Sequence, residues 1–205
     1  MIIAPDWIWL HFPKCAGTST EKALRAIFKN DREIRFDPQD MNNVIWHHTL
    51  EKRLEYDPEF DVSERRVICN IRRLPHWILS RVHFEVQRIG SAGRVKRQQL
   101  VQGRFAQRRP HGKPTIHSAE NVASQFSKGV THWVRVENFT EDLAVALDLT
   151  EAQVNAALMH ENTGQLSYIR NLDFWFTQTE IDRMYAANPT WADLERRLYG
   201  DTMRL

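Results

Sequence analysis

The stretch Trp7-Ile8-Trp9-Leu10-His11-Phe12-Pro13-Lys14-Cys15-Ala16-Gly17-Thr18-Ser19-Thr20 constrains the fold more than any other part of the chain. An apolar run ends at Pro13, so residues 6–12 read as a buried strand. A lysine and small residues follow, and over residues 19–29 Ala23, Leu24, Ile27 and Phe28 recur on one helical face. A strand, a short turn and a helix N-terminus in this order suit a phosphate group. Small side chains let backbone N–H groups point inward, the helix start adds partial positive charge, and Lys14 adds a full one. A chain built this way is expected to hold a nucleotide-like polyanion.

The turn is not the ATP-binding loop Gly-x-x-x-x-Gly-Lys-Ser/Thr, because here lysine precedes glycine. Pro13-Lys14-Cys15-Ala16-Gly17-Thr18-Ser19 resembles instead the 5′-phosphosulfate loop of sulfotransferases that use 3′-phosphoadenosine-5′-phosphosulfate (PAPS). It is most similar to the branch holding the heparan-type 2-O-sulfotransferases and their bacterial relatives. Cys15 stands where that family usually has threonine, a position that chiefly demands a small side chain. An ordinary strand-to-helix turn with a Ser or Thr cap would explain the hydroxyls but not the Pro-Lys before them. The resemblance implies that Lys14, Cys15, Ala16, Gly17, Thr18, Ser19 and Thr20 bind the cofactor, with Lys14 also catalytic at the leaving oxygen.

Alternating strand and helix signals over 205 residues suggest one α/β domain with a central parallel sheet flanked by helices. The resemblance implies the P-loop-like sulfotransferase fold for it. Short strands are expected at Ile34–Phe36 and Val44–Trp46, and Thr49 can cap a helix to about Glu55. The apolar run Arg66–Ile71 reads as a buried parallel strand, and Pro75 suits the first turn of the helix that follows. A strand at His132–Val136 and helices near 140–147, 150–160, 179–187 and 190–198 complete the pattern. Residues 88–118 read as a basic variable loop, with a helical piece near Val95–Phe105. From Val86 to Ala119 the chain has no acidic residue, so this segment either guides an anionic acceptor or is a solvated cover over a neutral one.

Two further motifs extend the resemblance. Arg72 closes the Arg66–Ile71 run, and Ser80 follows eight residues later. A guanidinium offers forked donors to phosphate and a hydroxyl adds a neutral one. In the family an arginine and a serine so placed bind the 3′-phosphate of PAPS. Here proline sits one residue late, at Pro75, and Trp77 replaces a common arginine, so Arg73 is an alternative, but Arg72 is preferred because its spacing to Ser80 is the family's. Between these motifs lies Trp46-His47-His48-Thr49, where the branch carries a histidine base. Histidine suits that task by its near-neutral pKa. His47 fits best, with His48 the alternative. In the C-terminal region, which in relatives closes over the cofactor, Ser167, Tyr168 and Arg170 are further contact candidates.

The resemblance implies a sulfotransferase that moves a sulfuryl group from PAPS to a carbohydrate or small-molecule hydroxyl by in-line displacement, without a metal. The competing readings are a P-loop-type nucleotide kinase or ATPase and a non-catalytic nucleotide- or polyanion-binding module. With net charge +2, bulk charge points to neither nucleic acid nor membrane. Cys15 and Cys69 make neither a disulfide framework nor a metal site. No signal peptide or membrane-length apolar run is visible, so a cytoplasmic location is the expectation. Acceptor identity and oligomeric state are not fixed by the sequence.

Overall fold

The computed structural model describes residues 1–38, 45–108, 113–158 and 168–205. It is an α/β protein around a mixed sheet. Its residues fall into two compact units, Met1–Ile71 with Phe126–Thr163, and Arg72–Gln125 with Gly164–Leu205.

The first unit holds the five-stranded sheet. In chain order it contains β1 (Ile2–Ile3), β2 (Trp7–Leu10), α1 (Gly17–Ile27), β3 (Arg35–Phe36), a 3-10 turn Ile45–His47, α2 (Leu50–Tyr56), β4 (Arg66–Ile71), β7 (His132–Arg135), α6 (Phe139–Ala146) and α7 (Glu151–Leu158). The strand order is β3-β1-β2-β4-β7. Only β2, β4 and β7 run parallel, with Trp9 opposite Ile68 and Cys69 opposite Trp133. The expected central parallel sheet is thus found as part of a mixed one: β2, β4 and β7 are parallel, while β1 pairs antiparallel with both β2 and β3. Its cause is local. Pro5-Asp6 reverses the chain, Ala4 N–H bonds to Trp7 O at 2.9 Å, and two-residue strands carry no readable period.

The parallel strands are apolar because both faces are covered. Ile8, Leu10, Ile68, Cys69, Ile71 and Val134 have no exposed surface. Trp7, Trp9 and Leu24 share a core with Leu143, Ala146 and Val154 from α6 and α7. Thr49 caps α2 as its side chain predicts, accepting from Lys52 N–H. The expected strand at Val44–Trp46 is in its described part the 3-10 turn, closed by His48 N–H to Ile45 O at 3.0 Å; Val44 lies outside the described residues.

The second unit contains α3 (Leu74–Ile89), α4 (Arg97–Val101), β5 (Arg104–Gln107), β6 (Thr115–Ser118), most of α5 (Ala119–Phe126), α8 (Gln178–Ala186) and α9 (Pro189–Tyr199). Pro75 lies in the first turn of α3, where its missing N–H costs nothing. The segment expected to be a basic loop is built, in its described part, of the end of α3, a 3-10 turn Gly90–Gly93, α4, and an antiparallel hairpin. The hairpin turns Phe105 and Ala106 inward, and the Phe105 ring lies 5.5 Å from Trp77 and under Arg81. Its basic residues are partly used internally: Arg97 forks onto Glu180, whose carboxyl is held down at about 2 mainly by that contact. Trp77 itself is fully buried against Trp191, 4.7 Å away.

Candidate functional site

The turn from β2 into α1 is bent by two non-glycine residues in the left-handed region, Lys14 (φ 67°) and Ala16 (φ 58°). Each such residue stores about 1–3 kcal/mol. Ala16 is the N-cap of α1 and supplies no side-chain cap, and no acidic residue stands in the first turn. The N–H groups of Gly17, Thr18 and Ser19 open the helix and have no acceptor within it. Thr18 is exposed and Ser19 half-buried, so both hydroxyls lie at this opening. Cys15 is fully buried and its N–H bonds to Phe12 O at 3.3 Å. Thr20 is buried too, and its hydroxyl donates to Ala16 O at 3.0 Å. The cradle thus consists of Lys14, Ala16, the first helical amides and two hydroxyls, with Cys15 and Thr20 turned into the core.

Asn70 on β4 fastens this turn. Its Nδ2 donates to Cys15 O at 2.9 Å and to the Thr20 hydroxyl at 2.7 Å, while its Oδ1 accepts from Trp9 Nε1 at 2.9 Å. Asn70 has no exposed surface, so each bond replaces a solvation it has lost. The sequence reading missed it. The available signal was a lone amide inside the apolar run Val67-Ile68-Cys69-Asn70-Ile71.

His11 is the second residue the reading missed. It is 5% exposed, and its ring lies on Gly17 so closely that a Cβ there would overlap it. Gly17 is thus required by close approach rather than by its φ. The same ring lies 4.4 Å from His47 and 5.0 Å from Trp46. Burial holds His11 well below the ordinary histidine pKa, with His47 and Lys14 among the nearby groups that reinforce this, and its Nδ1 has no hydrogen-bond partner among the described residues. The His11 backbone carbonyl lies 2.9 Å from His47 Nδ1. A carbonyl can only accept, so Nδ1 carries a proton, and in the neutral form of His47 the lone pair is on Nε2. His47 and the start of α1 are therefore both in contact with one imidazole. His48 is placed differently: its buried Nδ1 has no hydrogen-bond partner among the described residues, its ring meets Tyr56 edge-on at 5.5 Å, and burial together with Arg53 and Lys52 lowers its pKa.

In the second unit, Arg72 and Arg73 have different surroundings. Arg73 donates from Nη1 to Glu195 Oε2 at 3.1 Å and to Asp201 O, and its guanidinium covers the Tyr199 ring at 3.9 Å. Among the described residues the Arg72 guanidinium makes no hydrogen bond or ion pair, while its carbonyl accepts from Trp191 Nε1 at 3.1 Å. Ser80 is buried on α3, and its hydroxyl has no hydrogen-bond partner among the described residues. Tyr168 stacks on His83 at 4.4 Å, Arg170 is exposed, and Ser167 lies outside the described residues.

A groove of about 650 Å³ in the first unit, lined by residues including Ile3, Pro5, Arg35, Phe60 and Arg65, lies elsewhere. It sits by the β1–β2 turn and the start of β4, at the opposite end of the parallel strands from Lys14. The left-handed Lys14 and Ala16, the start of α1 without a side-chain cap and the His11–His47 pair all lie beyond the C-terminal end of β2, and we place the candidate site there and not in the groove. Among the described residues no group of three or more His, Cys, Asp or Glu is arranged to hold a metal ion. No family model, curated protein or solved structure matches this chain.

Proposed function

We propose that the protein is a sulfotransferase that uses PAPS as donor and carries the P-loop-like sulfotransferase arrangement of strand, loop and helix. The observation that carries this reading is the α1 cradle, whose left-handed start leaves helix N–H groups uncapped beside Lys14 and has His47 as a neighbour through His11. An uncapped helix start next to a lysine favours a multiply charged oxyanion. A neutral histidine with Nε2 as its lone pair supplies a base.

In this reading Lys14, the amides at Gly17–Ser19 and the Thr18 and Ser19 hydroxyls hold the 5′-phosphosulfate. Arg72 and Ser80 hold the 3′-phosphate, a task for which Arg73 is already engaged by Glu195. His47 Nε2 takes the acceptor proton as the acceptor oxygen bonds to sulfur. The bond from sulfur to the bridging phosphate oxygen breaks, and that oxygen leaves with the electron pair. Lys14 and the helix start meet the charge that grows on it, an effect of the oxyanion-hole kind. His11 supports this by fixing the His47 tautomer through its carbonyl, and its neutrality keeps a second cation away from the base.

The deciding experiment is a thermal-shift titration with adenosine 3′,5′-bisphosphate against ATP–Mg²⁺. A ligand that binds the folded state raises the melting midpoint. A shift with the bisphosphate, independent of metal, supports the sulfotransferase. A shift with ATP–Mg²⁺ alone assigns the cradle to a kinase or ATPase.

A further inference from the structure

Helix α9 grips the two residues that join β4 to α3 and the first residue of α3. Trp191 Nε1 donates to the Arg72 carbonyl at 3.1 Å. One turn later on α9, Glu195 Oε1 accepts the Leu74 N–H at 2.6 Å and Oε2 accepts from Arg73 Nη1 at 3.1 Å. Tyr185 on α8 donates its hydroxyl to Glu195 Oε2 at 2.8 Å and accepts the Met203 N–H at 3.0 Å. Trp191 and Glu195 have no exposed surface, and Tyr185 is buried. The spacing of Trp191 and Glu195 puts both side chains on one helical face. The result is a clamp on consecutive backbone groups and on the Arg73 guanidinium, while the Arg72 guanidinium takes no part in it.

We propose that Trp191 and Glu195 are positioning residues for a phosphate ligand of Arg72 and Ser80. The clamp fixes the backbone pivot of Arg72, and it removes Arg73 from competition by binding it internally. A forked guanidinium–phosphate contact depends on sub-ångström placement of the fork, so a fixed pivot converts into selectivity for the 3′-phosphate. The proposal rests on the sulfotransferase reading, because it assigns a 3′-phosphate to Arg72.

The test uses calorimetric titration of the full chain with adenosine 3′,5′-bisphosphate and with adenosine 5′-monophosphate, which lacks the 3′-phosphate. Trp191→Phe keeps an aromatic ring against Trp77 and removes the indole N–H that donates to the Arg72 carbonyl. In this variant the preference for the bisphosphate is expected to fall about three- to tenfold, the scale of one net hydrogen bond, with monophosphate affinity unchanged. Glu195→Gln is the second variant, keeping shape while removing the charge that holds Arg73, and the same loss of preference is expected. An unchanged preference in either folded variant overturns the proposal. Equal weakening of both ligands also overturns it, because that marks a general structural role. A wild-type protein that prefers the bisphosphate while the variants keep that preference sinks the clamp alone. A wild-type protein that binds neither nucleotide sinks the sulfotransferase reading, and the clamp proposal with it.

Discussion

Helices α1 and α3 both begin within a few residues of the end of a buried parallel strand, and neither has a side-chain cap from its own N-cap residue. The start of α3 is closed from elsewhere by the Glu195 carboxylate, which takes the Leu74 N–H. The start of α9 is closed in the same manner by Glu120, which takes the Thr190 N–H and hydroxyl. At α1 the neighbouring side chains are a lysine and a neutral histidine. A helix N-terminus gains from a negative charge wherever that charge comes from. At α3 and α9 the charge belongs to the protein, so those ends serve stability. At α1 no carboxylate of the first turn fills the role and the N-cap side chain offers no acceptor, so that end suits an anion from solution.

This contrast can be broken most severely at α3. Glu195→Ala removes from a buried position the shared acceptor of the Leu74 N–H, the Arg73 guanidinium and the Tyr185 hydroxyl, and is expected to cost about 3–5 kcal/mol in chemical denaturation. A loss under about 1 kcal/mol would show that the carboxylate does not hold the helix start. Next comes Lys14→Ala, which is expected to lower kcat by about 10²–10³-fold, the range for loss of one oxyanion donor, with an unchanged melting temperature. If the variant instead melts early and turns over normally, Lys14 belongs to the fold and the contrast disappears.

Gly17→Ala tests the close approach of His11 and is expected to destabilise by about 1–3 kcal/mol, as overpacking does. The paired variant His11→Ala with Gly17→Ala should recover part of that loss if the overlap is its cause. Acid is a milder probe. His11 has its folded-state pKa lowered by burial, so between that value and the ordinary 6.5 the unfolded chain binds the proton and the folded chain does not. Stability contributed by neutral His11 is therefore complete above about pH 6.5 and is lost as pH falls below it, by at most about 1.4 kcal/mol per pH unit. His48 and His83, also lowered by burial, act with the same sign. Melting curves from pH 7.5 to 5.5 should show a smaller acid loss in His11→Gln than in the wild type; an identical slope would mean that His11 is charged in the fold. The smallest expected effect is at Ala16. Ala16→Gly relieves a left-handed alanine, worth about 1–2 kcal/mol, against an entropy cost of about 0.5–1 kcal/mol, so a gain of up to about 1 kcal/mol is expected in the melt.

The parts of this protein that can be read from sequence are those whose cause is local. Helices α1 and α3 announce themselves by period and by Pro75, and β4 by an unbroken apolar run. The Lys14–Ser19 turn is legible for the same reason, since its lysine, small residues and hydroxyls sit within six positions. Strands β1 and β3 are two residues each and exist because neighbours complete their ladder, which no window of sequence contains. The β5–β6 hairpin hides among arginines and glutamines because only Phe105 and Ala106 of β5 turn inward. His11 looks like the polar end of a strand until α1 folds back over it, and Trp191 lies 119 residues from the carbonyl it binds. Arg72 and Arg73 are chemically equivalent in sequence and become different only through a carboxylate far along the chain.

The order β3-β1-β2-β4-β7 leaves β3 as one border of the sheet, with only Arg35 and Phe36 in the ladder. Two residues span about 7 Å, too little rail for a stray strand to zip onto. Arg35 is exposed there and adds a charge that a docking chain would have to desolvate. The short border thus acts as a built-in guard against sheet-to-sheet aggregation on that side of the fold.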